Sequence, residues 1–260
     1  MYEIFNKAIP KTDLQKKISK IFNSDLLCLK NNYTLENQEI IFTKNYNKVS
    51  HLKYKHAPRS NSLQRKLLNS LLFDLKPLLD NKKKIIDVGG GSKSYGKFLG
   101  FSDDNIKCLD ISPGKEVDYK ENAEEYCISV PRGEFDYALN INYLLLSEKP
   151  ENVIKNTSSF LKPGGLAIID FLFLGYWYLG NDGMHYMLYT PSKIKKLIEP
   201  YFSDFIVIPV GNYIFALFNY YSKMFKSRLF CKFLQAMGIV LGNVDCNPLS
   251  AINYLVLAKK

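Results

Sequence analysis

The run KKIIDVGGGSKSYGKFLG (83–100) decides how this chain folds. Its first six residues are a short apolar segment closing on Asp87 and Val88, the pattern of a parallel strand buried on both faces. Gly89, Gly90 and Gly91 then let the backbone turn tightly and approach a ligand that a Cβ would exclude. A helix follows. Strand, glycine loop and helix together open a doubly wound α/β sheet.

The same alternation continues outward on both sides. NIKCLDI (105–111) reads as the second strand and EFDYALNI (134–141) as a later one. Pro150–Leu161 is a helix entered at proline, which is tolerated in a first turn. LKPGG (161–165) is a tight turn feeding the strand LAIIDFLF (166–173). Pro191–Phe202 is a further helix, and FIVIPV (205–210) and AINYLVLAK (251–259) are the last strands. Upstream, Leu63, Leu67, Leu71, Leu75 and Leu78 form one apolar stripe at helical spacing behind Ser62 as N-cap. Residues 1–61 are expected as an N-terminal extension and linker, with Asp13–Phe22 a short helix, LLCL (26–29) and EIIF (39–42) short strands, and Asn45–Ser62 polar linker. The expectation for 62–260 is therefore one domain: a doubly wound, mostly parallel sheet with helices on both faces. Residues 211–246 would form a helical cap or insertion before the last strand.

With 260 residues, 47% hydrophobic and 14% aromatic, the chain can fill a sizeable core, which excludes a disordered tail or a fibre. The net charge of +10 permits an anionic partner without naming one, and equally fits a genome rich in Lys, Asn and Tyr codons. Five cysteines, Cys28, Cys108, Cys127, Cys231 and Cys246, show no CxxC, which reads as a reduced, cytoplasmic protein. The N-terminal twenty residues lack the continuous apolar core of a signal peptide. LAIIDFLFLGYWYL (166–179) falls short of the ~18 residues of a membrane span and contains Asp170. Contact with the inner face of a membrane stays open through 213–241, an apolar stretch broken by Lys223, Lys226, Arg228 and Lys232. With no acid between Gly211 and Val244, it is either a buried crossover pair of helices or a basic amphipathic surface that meets lipid.

Asp110 ends the second strand, 23 residues after Asp87, where a carboxylate can accept both hydroxyls of a ribose. A phosphate-binding loop of the GxxxxGK[ST] type is absent, because Ser92 stands where its second glycine is required. A dinucleotide fingerprint would need a third glycine at Ser94. A carboxylate at Asp87 would moreover repel a pyrophosphate, yet it suits a ligand with a positive charge and an ammonium group. S-adenosylmethionine, a phosphate-free sulfonium, has that chemistry.

From about residue 84 to 202 the sequence resembles the class I S-adenosylmethionine-dependent methyltransferases, and within them the branch associated with bacterial surface-polysaccharide and lipid-linked glycan genes. IIDVGGGSKSYGKFL resembles that family's first motif, with Tyr95 as its aromatic. Cys108-Leu-Asp-Ile-Ser112 is similar to its "VDIS", Glu121-Asn-Ala-Glu-Glu125 to its "GDAEDL", and Phe135-Asp-Tyr-Ala-Leu139 to its "FDLVL". Leu161-Lys-Pro-Gly-Gly165 and Tyr189-Thr-Pro191 resemble its two later motifs. The resemblance implies a Rossmann-like, doubly wound, seven-stranded, mostly parallel sheet, one strand more than the six read from the residues. It implies S-adenosylmethionine as cofactor, bound by Asp87, Gly89, Gly90, Gly91, Tyr95, Asp110, Ile111, Asn122, Ala123 and Asn140. It implies no metal, and Cys28 alone cannot make the zinc module some relatives carry.

Two departures shape the chemistry. The family's L-E-H triplet after the fourth motif is here Leu144, Leu145 and Leu146, so its histidine is gone. Its D-Y-x-R-Y-T becomes His185-Tyr-Met-Leu-Tyr-Thr190, which gains a histidine. His185 is then either a loop histidine or the base that deprotonates a hydroxyl, with Asp182 orienting it or serving instead. Asn140 would face the transferring methyl or the acceptor, or merely cap the next segment. Tyr176, Trp177 and Tyr178 are either core and lid packing or an acceptor platform. An already anionic phosphate, phosphoramidate or carboxylate acceptor would need no strong base. Asn140-Ile-Asn-Tyr143 lacks the prolines of an exocyclic-amine nucleic-acid methyltransferase, so nucleic acid is not the expected partner. A donor-binding but non-catalytic partner protein is the remaining alternative.

Overall fold

The computed structural model describes residues 36–37, 40–41, 46, 63–112, 114, 116–173, 188–224, 227–242 and 251–260. Two short strands, β1 (Glu36–Asn37) and β2 (Ile40–Ile41), pair antiparallel. Then come α1 (Leu63–Leu75), β3 (Ile85–Val88), α2 (Ser94–Leu99), β4 (Ile106–Leu109) and β5 (Phe135–Asn140). After them follow α3 (Pro150–Phe160), β6 (Leu161–Leu172), α4 (Pro191–Ile198) and β7 (Asp204–Val210). The chain closes with α5 (Tyr213–Met224), α6 (Arg228–Gly242) and β8 (Asn253–Lys259).

β3 to β8 form one sheet in the order β4-β3-β5-β6-β8-β7. β4, β3, β5 and β6 run parallel, and β8 is reversed between β6 and β7. From β3 the chain crosses to β4 on one side, and then returns to β5 on the other. The direction of winding therefore reverses between β3 and β5, and ligands of open α/β sheets bind at such a point, beyond the carboxyl ends of the strands.

Side chains of β3 alternate between two core layers, Ile85 on one face and Ile86 on the other. The first layer is closed by the α1 stripe, whose Leu63, Leu67, Leu71 and Leu75 are all fully buried, with Phe98 of α2 and Phe215 of α5 beside it. The second is closed by Val153 and Ile154 of α3 and Ile194 and Leu197 of α4. Thr190 caps α4, its hydroxyl accepting from the Lys193 amide at 3.3 Å.

Three expectations change. Among the described residues the sheet has six strands, where the family resemblance implied seven. Between Leu109 and Phe135 the chain returns beside β4 at one residue only, the Leu109–Tyr119 bridge, before turning at Asn122. Twenty-five residues are too few here for a helix, a strand and a second helix. LKPGG is not a separate turn but the beginning of β6: Phe135 pairs with Leu161 and Tyr137 with Leu166, so the extra residues bulge out of the ladder, with Gly164 at φ +76°. Tyr46, expected within a linker, is pinned to the sheet edge. It bridges Val210, its amide donates to the Pro209 carbonyl at 2.7 Å, and its hydroxyl donates to Asp74 at 2.8 Å. Pro209, lacking an N–H, is tolerated because β7 is an edge strand. The residues expected as the Asp13–Phe22 helix, the LLCL strand and the Ser62 cap lie outside the described residues.

Candidate functional site at the carboxyl edge of the sheet

Three strand ends converge where the winding reverses. β3 ends at Asp87 and Val88 and runs into the glycine loop, which is anchored by the Gly89 amide donating to the Leu109 carbonyl at 2.7 Å. Gly89 (φ +74°) and Gly91 (φ +55°) adopt left-handed conformations that favour glycine. A Cβ at Gly89 would also collide with the Tyr143 ring, and one at Gly90 with the Asp87 carboxyl. Gly91 differs, since its Cβ position lies 3.7 Å from Asp110 Oδ2 and meets nothing nearer.

Asp110 is half-buried beyond the end of β4. The amides of Gly91 and Ser112 donate to its two carboxylate oxygens at 3.0 and 2.8 Å, which fixes the carboxylate against the glycine loop. Asp87 stands one layer deeper, 1% exposed, and its Oδ2 has no hydrogen-bond partner. Burial, reinforced by the Asp110 charge, pushes its carboxyl up to about 7. Asn140, at the end of β5, is fully buried with both amide atoms unpartnered. Such groups are rare in folded proteins because each forfeits its hydration without return. Two of them stand side by side at the carboxyl ends of β3 and β5.

A polar network lines the same edge on the α1 side. Arg65 Nη1 donates to the Tyr95 oxygen at 2.6 Å, and Asn142 Nδ2 approaches that oxygen at 3.4 Å. Burial pushes the Tyr95 phenol up to about 12 against the pull of Arg65. Asp170, 2% exposed near the end of β6, accepts from Asn253 Nδ2 at 2.8 Å, and Gln64 Nε2 donates to Asn253 Oδ1 at 2.8 Å. Burial pushes Asp170 up to about 6, opposed by the Asn253 hydrogen bond and the Arg65 charge.

The structure thus brings together Asp87, Gly89, Gly90, Gly91, Tyr95, Asp110 and Asn140 of the expected set. Ile111 follows Asp110 and is two-thirds exposed (67%). Asn122 turns the chain beyond the Tyr119 bridge, its Oδ1 accepting from the Glu124 amide at 3.0 Å, and Ala123 is buried in the same core layer as Val88 and Leu109. His185, Asp182 and Tyr176–Tyr178 lie outside the described residues. Among the described residues no group of three or more His, Cys, Asp or Glu could hold a metal ion. Sequence reasoning missed Asp170, Asn253, Arg65 and Gln64 as site-edge residues. Asp170 carried a signal, being a lone acid in the apolar run LAIIDFLF. Arg65 and Gln64 carried none, since polar residues are ordinary on the outer face of an amphipathic helix.

No protein-family model and no curated protein matches this chain. Solved structures do. A methyltransferase of Archaeoglobus fulgidus that depends on S-adenosylmethionine (SAM) superposes with a TM-score of 0.50 at 18% identity, over 75% of this chain and 93% of that one. A SAM-dependent methyltransferase of Thermotoga maritima gives a TM-score of 0.50 at 13% identity, over 76% and 91% of the two chains. At these identities the likeness is one of fold: the chain has the mixed α/β, Rossmann-like fold of these enzymes.

Proposed function

We propose that this protein is a SAM-dependent methyltransferase. In our reading it transfers a methyl group by in-line displacement to an oxygen of a small polar acceptor, a sugar or phosphorylated precursor of a surface polysaccharide. The observation that carries the reading is the pair of buried, unpartnered groups, Asp87 Oδ2 and the Asn140 amide, beside the switch point of the sheet. A donor with an ammonium-bearing amino-acid end and no phosphate fits them. Its ammonium would satisfy Asp87, whereas a pyrophosphate there would face two carboxylates. When bound, the donor supplies a methyl group already activated by its sulfonium.

The chain's own residues then do the positioning. Asp87 holds the ammonium, and Gly89, Gly90 and Gly91 keep the backbone free of side chains where the donor lies. Asp110 accepts the ribose hydroxyls, Ile111, Asn122 and Ala123 border the adenine, and Tyr95 packs at the methionine end. Asn140 orients the methyl or the acceptor, which lowers the barrier through alignment. For a hydroxyl acceptor a base is required, and His185, oriented by Asp182, takes that proton. The protein works in the cytoplasm, with 213–241 in contact with the inner face of a membrane or a lipid-linked substrate.

The test is mass spectrometry of products from labelled donor incubated with nucleotide sugars, sugar phosphates and lipid-linked sugars. With a hydroxyl acceptor, His185→Ala should lower turnover by about 10²–10⁴-fold with donor affinity nearly unchanged. A variant within about threefold of the parent rate overturns the base assignment, since general-base catalysis contributes far more. One observation favours a second reading, an oxyanion acceptor such as phosphate or carboxylate. Leu144 is buried and Leu146 half-exposed at 51% where relatives place a histidine. In that case His185→Ala acts mainly on acceptor binding. Donor binding without labelling of any acceptor would instead indicate a non-catalytic partner protein.

A further inference from the structure

The hairpin of α5 and α6 stands on α1 and carries a large apolar outer surface. Its inner side is closely packed. A Cβ at Gly238 would press on Phe218 and Leu63, one at Gly242 would collide with Phe215, and Gln235 accepts from Lys66 Nζ at 2.7 Å. Its outer side is apolar at helical spacing. Leu229, Phe233 and Val240 of α6 are 80, 56 and 68% exposed, and Tyr213, Leu217 and Tyr221 of α5 are also exposed. Each set follows one helix face, at intervals of four, seven or eight residues. A water-facing stripe of large apolar side chains on two adjacent helices marks an interaction surface.

Charge selects the occupant. The sequence of this stretch carries Lys223, Lys226, Arg228 and Lys232, and no acid occurs from Phe205 to Val244. Lys66 of α1, which faces Gln235 of α6, has its pKa lowered, first by burial and then by the Lys232 charge. A second copy of the chain is a poor occupant. A two-fold interface places the same patch against itself, cations against cations. Neither helix is long and apolar enough to cross a membrane among the described residues, so the hairpin would lie on a bilayer rather than span it.

We propose that the outer face of α5 and α6 docks on an anionic lipid surface, with Leu229, Phe233 and Val240 entering the acyl boundary and the exposed Lys232 facing the head groups. This deepens the membrane part of the proposed function and stands independently of methyl transfer. The test is co-sedimentation of the full chain with vesicles of phosphatidylcholine alone or mixed with phosphatidylglycerol, alongside light scattering and donor titration. Binding is expected to the mixed vesicles and to weaken with added salt. Lys232→Ala should lower it about fivefold, the effect of one basic residue at an anionic surface. The double substitution Leu229→Asp with Phe233→Asp should lower it by at least about tenfold, as expected for two apolar side chains replaced by charges. Both positions are exposed, so thermal melting and donor affinity should stay at the parent values. Absence of vesicle binding, equal binding to neutral and anionic vesicles, or a dimer that the double variant dissociates would each overturn the proposal. Loss of donor binding with vesicle binding intact would count against the methyltransferase reading alone.

Discussion

The two ends of the parallel strands treat their polar groups in opposite ways. At the amino edge the charges are paired. Lys162 Nζ meets both Asp136 oxygens at 3.0 Å, the Lys84 amide donates to Asp136 Oδ2 at 3.1 Å, and Lys260 Nζ donates to the Leu161 carbonyl at 2.7 Å. At the carboxyl edge Asp87 Oδ2, both amide atoms of Asn140 and the Ser147 hydroxyl are buried without partners. Among the described residues the amino edge pairs its charges, whereas the carboxyl edge leaves these polar groups buried and unpartnered. Buried polar groups without partners lower stability, so their concentration at one edge points to a ligand that completes them.

The largest effect that would break this contrast is at Asp110. Asp110→Ala should weaken donor binding by about 1.5–3 kcal/mol, the loss of charge-assisted hydrogen bonds, and calorimetry reads it directly. Unchanged affinity would remove Asp110 from the site. Next is Asn140→Leu, which keeps the branching and the number of non-hydrogen side-chain atoms though it is somewhat larger. Removing an unsatisfied buried amide should raise stability by about 1–3 kcal/mol in denaturant unfolding while turnover falls. A fall in stability would mean that Asn140 is structural and that the carboxyl edge is not incomplete there.

A smaller effect concerns pH. Asp87 carries a carboxyl raised to about 7, so in the folded protein it keeps its proton over a range where the unfolded chain has lost it. Its contribution to stability therefore falls as pH rises from about 4 to 7, because the unfolded state binds fewer protons there. Donor binding runs the other way, since only the carboxylate attracts an ammonium. Affinity should be about tenfold weaker at pH 6 than at pH 8, and Asp87→Asn should abolish that slope. A slope that survives in the variant would assign the titration to another group. Smallest of all is Asp136→Ala at the amino edge. Its ion pair with Lys162 is only partly buried, so unfolding should shift by about 1 kcal/mol and donor affinity not at all. A marked loss of donor binding there would erase the distinction between the edges.

How legible each part was follows from where its signal lies. The α1 stripe and the strands β3, β5, β7 and β8 were read to within about two residues, because local apolar spacing has to match the core it fills. The glycine loop was legible since three successive glycines are rarely needed elsewhere. LKPGG misled because proline and glycine mark a break in pairing, and a bulge inside a strand is such a break too. The seventh strand came from the family resemblance alone; no apolar run between Leu109 and Phe135 had suggested one, and among the described residues that segment meets β4 at the Leu109–Tyr119 bridge only.

The sequence by itself determined the element order, the glycine turn after β3 and the carboxylates at the ends of β3 and β4, all of which depend on residues close together in the chain. Only the tertiary structure decided that Asp87 and Asn140 are buried unpartnered, and that Gln64, Arg65, Tyr95, Asp170 and Asn253 share one network. Gln64 and Asn253 are 189 residues apart, and no local pattern records such a meeting. Desolvation and pairing are properties of the assembled neighbourhood, which exists only after the sheet has brought distant segments to the same edge.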